Sequence, residues 1–232
     1  YNWHFNWTYG NGDLGNQGVH QLDVARWGLG LGFSNKVSAM GGHFMFDDDQ
    51  LTPNDLNCSF EFDLPDGKRK AITFEVRHWI MNHEAEVGTV ELGTPEPKRT
   101  SGQPKLGPMS GSHNTVGNIF YGSKGYLSTG DEDATTYVSW LGRDQEQQPA
   151  VKGGVELDHF KNFIECVTSR NAAGLNAPIE EGHMSCALMH LANASYRLGR
   201  TLNFEPETQQ VIGDDEANRL LKDGDRGYRS PF

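Results

Sequence analysis

The chain has 232 residues, 36% of them hydrophobic, with a formal net charge of −11 and a pI near 5.2. This composition suffices for a folded core and argues against a protein that binds nucleic acid or an anionic membrane through its own charge. The mean hydropathy of −0.62 and the short apolar stretches predict a soluble protein, either cytoplasmic or exported in folded form.

The first predicted elements are a glycine-rich turn and a helix. Segment 1–9 is rich in aromatic residues, and the run from Gly10 to Gly15 that follows it is typical of a turn. Apolar residues then recur at helical spacing from Asn16 to Trp27, and Gly28 is a candidate C-cap. The chain begins at Tyr1 rather than at methionine, so we expect a preceding segment that is not part of this sequence.

Strand signals follow the helix. Segment 36–46 is rich in strand-forming residues, and segment 58–64 alternates apolar and polar residues with a period of two. The turn Pro65-Asp66-Gly67 and a second alternating run at 72–77 complete an antiparallel hairpin.

The middle of the chain predicts further sheet. Segment 91–112 is rich in Gly, Pro and Lys and is expected to be an exposed loop. Segment 119–127 encloses Gly122-Ser123-Lys124-Gly125 and predicts a second hairpin, and 137–141 could add a strand.

Helices close the pattern, at about 156–169 and 180–198. A polar tail follows at about 203–232, with a short helix expected at 216–222. Strands flanked by helices without regular βαβ alternation predict an α+β protein: an open, mostly antiparallel sheet with helices packed on one face. We expect residues 1–232 to form a single domain for substrate binding and oligomerisation.

The glycine run matches the G-x-G-x-x-G spacing that seats a dinucleotide pyrophosphate and even precedes a helix. Asp13 would place negative charge against the phosphates, however, and no apolar strand precedes the turn. Asn35 and Lys36 stand where an acidic residue is expected. A structural turn is therefore the better interpretation.

The helix after that run carries a polar face. At 3.6 residues per turn, Asn16, His20, Asp23 and Trp27 fall within one arc. His20 could exchange a proton near neutral pH, and Asp23 could orient its ring or bind a substrate hydroxyl. The alternative is that His20 and Asp23 simply satisfy each other's hydrogen bonds.

These residues resemble a known family. Segment 10–27, GNGDLGNQGVHQLDVARW, is similar to the G-G-G-x-L-x-D-x-G-x-H-x-x-D-x-x-x-W signature of the glucose-fructose oxidoreductase and inositol dehydrogenase (Gfo/Idh/MocA) family. Segment 120–127 resembles its F-x-G-x-x-G-x-L hairpin, and 177–183 resembles the start of its last long helix. The resemblance covers essentially the whole chain and lies in the family's C-terminal domain only.

The resemblance implies a separate N-terminal Rossmann domain, which this chain lacks and which would mainly hold the NAD or NADP. It implies homo-oligomers formed through the sheet face. It also implies hydride transfer between the nicotinamide and a sugar or polyol, with His20 as proton-transfer residue. Asn16 replaces the family's acid four residues earlier, which removes a carboxylate charge from beside His20.

Four further residues are candidates for substrate binding. Trp3 and His4 precede the glycine turn, while Arg77 and His78 end a predicted strand. Aromatic rings and bidentate donors suit the faces and hydroxyls of a sugar, but such residues can equally belong to a core or a sheet edge. No metal site is expected: the three cysteines are widely spaced, and Asp47-Asp48-Asp49 lacks the remainder of a calcium loop.

Three hypotheses follow. The chain is the substrate-binding C-terminal domain of a nicotinamide-dependent oxidoreductase acting on a sugar or polyol. Alternatively, it belongs to an NAD-dependent glycoside hydrolase of the same fold, or it is a non-enzymatic oligomerisation or sugar-binding module.

Overall fold

The computed structural model describes residues 2–44, 48–77, 116–130, 136–152 and 158–223. The chain divides into two compact units. One comprises Tyr1–His78 with His159–Phe232, and the other Trp79–Asp158. The single domain for substrate binding and oligomerisation that the sequence suggests stays a prediction. The expected loop at 91–112, His78 and Asp47 lie outside the described residues.

The described elements comprise strands and four helices. The strands, in chain order, are β1 (Lys36–Gly42), β2 (Asp55–Asp63), β3 (Arg69–Arg77), β4 (Gly117–Gly122), β5 (Gly125–Gly130), β6 (Thr136–Leu141), β7 (Glu146–Gln147), β8 (Val151–Lys152), β9 (Leu202–Glu205) and β10 (Gln210–Val211). The helices are α1 (Val19–Leu29), α2 (His159–Ser169), α3 (Ile179–Leu198) and α4 (Asp215–Asp223). None of the helices in the described ranges has the length and hydrophobicity that a membrane span needs.

The first unit is built on an antiparallel sheet of order β10-β9-β1-β2-β3. The predicted hairpin is confirmed: Asp63 pairs with Arg69, and Gly67 takes the positive φ of 77° that its turn requires. Strand β9 returns beside β1, where Leu202 pairs with Val37. Part of the predicted polar tail therefore belongs to the sheet.

Strand β2 shows how the core is made. Leu56, Cys58, Phe60 and Phe62 are all buried, while the residues between them face away from that core. The period-two pattern thus places one sheet face under the helices and leaves the other open. Burial raises the pKa of the Cys58 thiol to about 12.

Helix α3 packs across β1 and forms the centre of the first unit. Leu188, Leu191 and Ala192 are almost fully buried. Glu180 and Glu181 occupy its first turn and Arg197 its last, as the helix dipole favours. Gly199 ends it in the left-handed conformation with φ 64°. The predicted helix at 180–198 is confirmed.

Helix α1 is entered through a π-helical turn, Leu14–Gly18, that the sequence pattern did not indicate. Single π-helical turns of this kind are frequent at functional sites. The helix extends beyond the expected Gly28 to Leu29, and the left-handed cap is Gly30, with φ 63°. Its buried face includes Gln21 and Arg26 as well as apolar residues.

Helix α2 has the expected apolar stripe, but none of its described residues is buried. Phe160, Phe163, Ile164 and Val167 are exposed, with Phe160 at 85%. The stripe therefore predicts the helix correctly.

The second unit carries an antiparallel sheet of order β4-β5-β6-β7, with β8 also paired to β6. The hairpin expected at 119–127 is confirmed, with Gly122 opposite Gly125 at its turn. Tyr126 stacks on Trp140 across β5 and β6, with ring centroids 4.9 Å apart. The α+β class with mostly antiparallel sheet is thus confirmed.

Candidate functional site

The glycine run before α1 is held by close packing within the protein. A Cβ atom at Gly10 would lie 2.4 Å from the backbone oxygen of His4. Gly12 has φ +66° and faces Thr52, whose Cβ would lie 2.9 Å from an added Cβ. These glycines serve the chain's own turn, so they do not form an open cradle for a dinucleotide pyrophosphate.

The π-helical turn rests against the sheet through another close approach. A Cβ atom at Gly18 would lie 2.8 Å from Cζ of Phe74 on β3. The start of α1 is therefore fixed on the face of the sheet to which Phe74 points. This contact sets the direction in which the following residues of α1 project.

The polar arc predicted on α1 is present at the surface. His20 and Asp23 are exposed, Trp27 is 76% exposed and Asn16 is half-buried. No hydrogen bond joins His20 to Asp23 or to any other residue in the described ranges. The alternative in which His20 and Asp23 satisfy each other is therefore not what the structure adopts, and the His20 ring is accessible to a ligand.

A residue of helix α3 holds the side chain of Asp23 in place. Its Oδ1 accepts a hydrogen bond of 2.5 Å from Oγ of Ser185, and Nη2 of Arg26 lies 3.7 Å from the same oxygen. The Asp23 side chain is nevertheless 53% exposed. One carboxylate oxygen is thus tied to the protein while the group as a whole remains open to solvent.

Arg26 is buried, and all three nitrogen atoms of its guanidinium donate hydrogen bonds. Its guanidinium donates to Oγ of Ser185 at 2.8 Å, to the backbone oxygen of Leu31 at 2.8 Å and to Oε2 of Glu181 at 2.5 Å. A buried cation needs such partners because desolvation of an unpaired charge is very costly. No local sequence pattern indicates the contact between Arg26 and Ser185, because the two residues are 159 positions apart.

Trp3 and His4 lie in a short 3-10 helix, Asn2–Phe5, before the glycine run. Their rings stack with centroids 3.9 Å apart, and Trp3 is exposed. The backbone of His4 packs against Gly10, as described above. Their predicted contact with substrate stays a prediction.

Arg77 does not join the polar arc. It follows Glu75 on the sheet face opposite to Phe74, and its guanidinium pairs with the Glu75 carboxylate at 2.9 and 3.2 Å. Since Phe74 points toward the start of α1, Arg77 projects from the other side of the sheet. The structure therefore does not bring Arg77 together with His20. The neighbouring candidate His78 lies outside the described residues.

Metal binding has no support in the described part of the chain. No group of three or more His, Cys, Asp or Glu side chains is placed there to hold a metal ion. Asp48 accepts a hydrogen bond from the backbone of Gln50, which is typical of a solvated turn.

Comparison with known families supports the resemblance. Residues 150–230 match the Gfo/Idh/MocA model described as the oxidoreductase family, C-terminal alpha/beta domain. This match covers α2, α3, β9, β10 and α4, and it confirms the resemblance to the family's C-terminal domain over that part of the chain. No curated protein matches the sequence.

Solved structures share the fold at low sequence identity. A protein from Erwinia carotovora atroseptica SCRI1043, assigned to the oxidoreductases, is 14% identical with a TM-score of 0.55, over 84% of this chain and 51% of that one. Levoglucosan dehydrogenase in complex with NADH and L-sorbose is 11% identical with a TM-score of 0.54, over 89% and 54%. The assigned oxidoreductase yvaA from Bacillus subtilis is 15% identical with a TM-score of 0.53, over 88% and 54%. The chain spans about half the length of these structures.

Proposed function

We propose that this chain is the substrate-binding part of a nicotinamide-dependent oxidoreductase acting on a sugar or polyol. The match of residues 150–230 to the model of the Gfo/Idh/MocA C-terminal domain supports this proposal. The observation that carries the proposal is the exposed polar arc of α1, in which His20 is unpaired among the described residues and Asp23 is anchored. Because the glycine run does not fit a dinucleotide, we propose that NAD or NADP is held mainly by a separate Rossmann domain.

Each residue of the arc has a role in the proposed reaction. The His20 imidazole takes the proton from the substrate hydroxyl, while the hydride on the same carbon would pass to the NAD or NADP, so that this carbon becomes a carbonyl. In the reverse direction His20 returns the proton. Asp23 accepts a hydrogen bond from a neighbouring hydroxyl through its free oxygen. The Asn16 amide can donate to or accept from a further hydroxyl.

A sugar or polyol is the substrate class that fits these groups best. A neutral polyhydroxylated molecule offers several donors to a carboxylate, an amide and an imidazole on one helix face. The net charge of −11 also disfavours a strongly anionic substrate. Levoglucosan dehydrogenase, whose structures contain levoglucosan or L-sorbose, is consistent with this class.

The proposal is tested by His20→Asn in the complete protein, with His183→Asn as a matched control. Loss of a general base costs roughly 10²–10⁴-fold in turnover, so kcat for sugar oxidation is expected to fall by that order in the His20 variant. His183 is an exposed histidine on α3 bonded to Gln209 at 2.9 Å, and its replacement should leave kcat unchanged. Equal turnover in both variants would refute the role of His20.

Asn16 favours a second candidate, cleavage of glycosides by transient oxidation. An amide carries no charge beside His20, so net dehydrogenation would lack one feature of the related signature. Release of sugar from an aryl glycoside without accumulation of NADH would support this candidate. Sugar binding without any turnover would instead support a non-enzymatic module.

A further inference from the structure

One hydroxyl links a buried charge to the exposed arc. Ser185 is buried on α3, and its Oγ accepts a hydrogen bond from Nε of Arg26 at 2.8 Å while donating one to Oδ1 of Asp23 at 2.5 Å. The single Ser185 proton is thereby directed at Asp23, because its acceptor side is already used by a guanidinium that cannot lose its own protons.

The consequence for Asp23 is a fixed orientation. Its Oδ1 lies against Ser185 and near Arg26, whereas Oδ2 accepts no hydrogen bond from a residue in the described ranges. The carboxylate is therefore presented with one oxygen toward solvent, on the arc that His20 also occupies. A carboxylate already ordered in this way loses less freedom when it binds a hydroxyl.

We infer that Ser185 and Arg26 are positioning residues, which set the Asp23 carboxylate to receive a substrate hydroxyl. The inference rests on the proposed function and names the part of the molecule that orients the substrate. Arg26 also binds Leu31 and Glu181, so it joins α1 to α3 without help from Ser185. The hydroxyl of Ser185 is the link in this network that ends on the polar arc of α1.

Ser195 provides a matched control on the same helix. It is fully buried like Ser185, and its Oγ also makes two hydrogen bonds, accepting from the backbone of Ala39 at 3.0 Å and donating to that of Arg200 at 2.7 Å. Neither partner belongs to the polar arc. Ser185→Ala and Ser195→Ala therefore remove the same atom and the same number of hydrogen bonds.

The experiment compares these variants in the complete protein with a sugar that the wild type oxidises. Both are expected to lower the melting temperature, but only Ser185→Ala should raise KM, by about tenfold, as expected for the loss of one oriented hydrogen bond. Its kcat should change much less, because ground-state and transition-state binding are weakened together. Ser195→Ala should leave KM within about twofold of the wild type.

A double-mutant cycle distinguishes the loss of Asp23 orientation from a general loss of protein stability. In an Asp23→Asn background, Ser185→Ala should raise KM no further, because the group that it orients has already been changed. The same KM in Ser185→Ala as in Ser195→Ala, or an undiminished effect in the Asp23→Asn background, overturns the inference while the proposed function stands. A wild-type protein that oxidises no sugar or polyol overturns both.

Discussion

Asp214 illustrates how one side chain can serve two purposes. Its carboxylate pairs with Arg200 at 2.8 and 2.9 Å and accepts a hydrogen bond of 3.0 Å from the backbone of Ala217, at the start of α4. Glu216 adds a second acid beside the same guanidinium, at 2.7 Å. Hydrogen bonding to Arg200 lowers the pKa of Asp214 to about 2.

Asp214→Asn is therefore expected to change the acid sensitivity of the fold. Because the folded-state pKa of Asp214 lies below its unfolded value, the ionised group stabilises the protein fully above about pH 4. This contribution disappears as the pH falls through about 2. The variant should be less stable at pH 7 and should lose less stability than the wild type between pH 4 and 2.

Urea unfolding at several pH values measures this difference. Asp215→Asn is the control, since Asp215 is the neighbouring carboxylate in the first turn of α4 and makes no ion pair among the described residues. It should follow the wild-type profile closely. An Asp214→Asn profile parallel to that of the wild type would show that the pairing with Arg200 does not stabilise the fold.

At the scale of single residues, sequence spacing identified an exposed arc but not its support. His20 and Asp23 are three residues apart on one helix, so periodicity alone places them together. Arg26 and Ser185 meet only because α1 packs on α3, a contact across 159 residues that no local pattern encodes. Arg77 was predicted from its residue type and its place at the end of a predicted strand, and the structure pairs it with Glu75 on the same sheet face.

Replacing a glycine by alanine should change the stability of the protein in opposite directions at the end of α1 and within α3. Gly30 caps α1 with φ +63°, a conformation that costs a side chain about 1 kcal/mol or more, so Gly30→Ala should destabilise the protein. Gly182 lies within α3, and nothing lies within 4 Å of an added Cβ. Gly182→Ala should therefore stabilise by about 0.5–1 kcal/mol, because alanine restricts the unfolded chain.

Thermal unfolding of the two alanine variants checks this pair. No Cβ contact arises within 4 Å at either position, so the two substitutions differ mainly in backbone conformation. A rise in melting temperature for Gly182→Ala and a fall for Gly30→Ala is the expected result. Two shifts of the same sign would contradict the conformational explanation.

At the scale of elements, strong periodicity predicted most of what is present. The alternation in β2 and β3 and the long stripe of α3 are carried by many residues, and those elements lie where expected. Strand β9 was missed because it has only four residues, with a polar flank on each side. The π-helical turn was not indicated by the sequence pattern, and its last residue, Gly18, lies against Phe74 of β3.

At the scale of the whole molecule, the first and last parts of the chain share one core. Leu202 and Phe204 of β9, Val211 of β10 and Ala217 of α4 belong to the same buried cluster as Leu22 of α1. The C-terminal segment was expected to be a polar tail, because its apolar residues are sparse and widely spaced. Their burial depends on pairing between β9 and β1, which the local sequence could not show.

The side chains near the centre of the sheet's open face are small and polar. Ser38, Ser59 and Thr73 lie side by side across β1, β2 and β3, and all three are exposed. The homo-oligomer expected through this face stays a prediction. The family match at 150–230 supports the class of domain.

The rate at which the buried thiol of Cys58 is alkylated should measure the rate at which the folded protein opens locally. Its pKa of about 12 and its place in a central strand leave almost no thiolate accessible to an alkylating reagent in the folded state. Cys166 and Cys186 are partly exposed and should react first with iodoacetamide. Modification of Cys58, followed by mass spectrometry, should then proceed at the rate at which strand β2 is uncovered, and rapid modification of all three thiols would contradict this expectation. The native chain thus reports its sub-global unfolding without an introduced label.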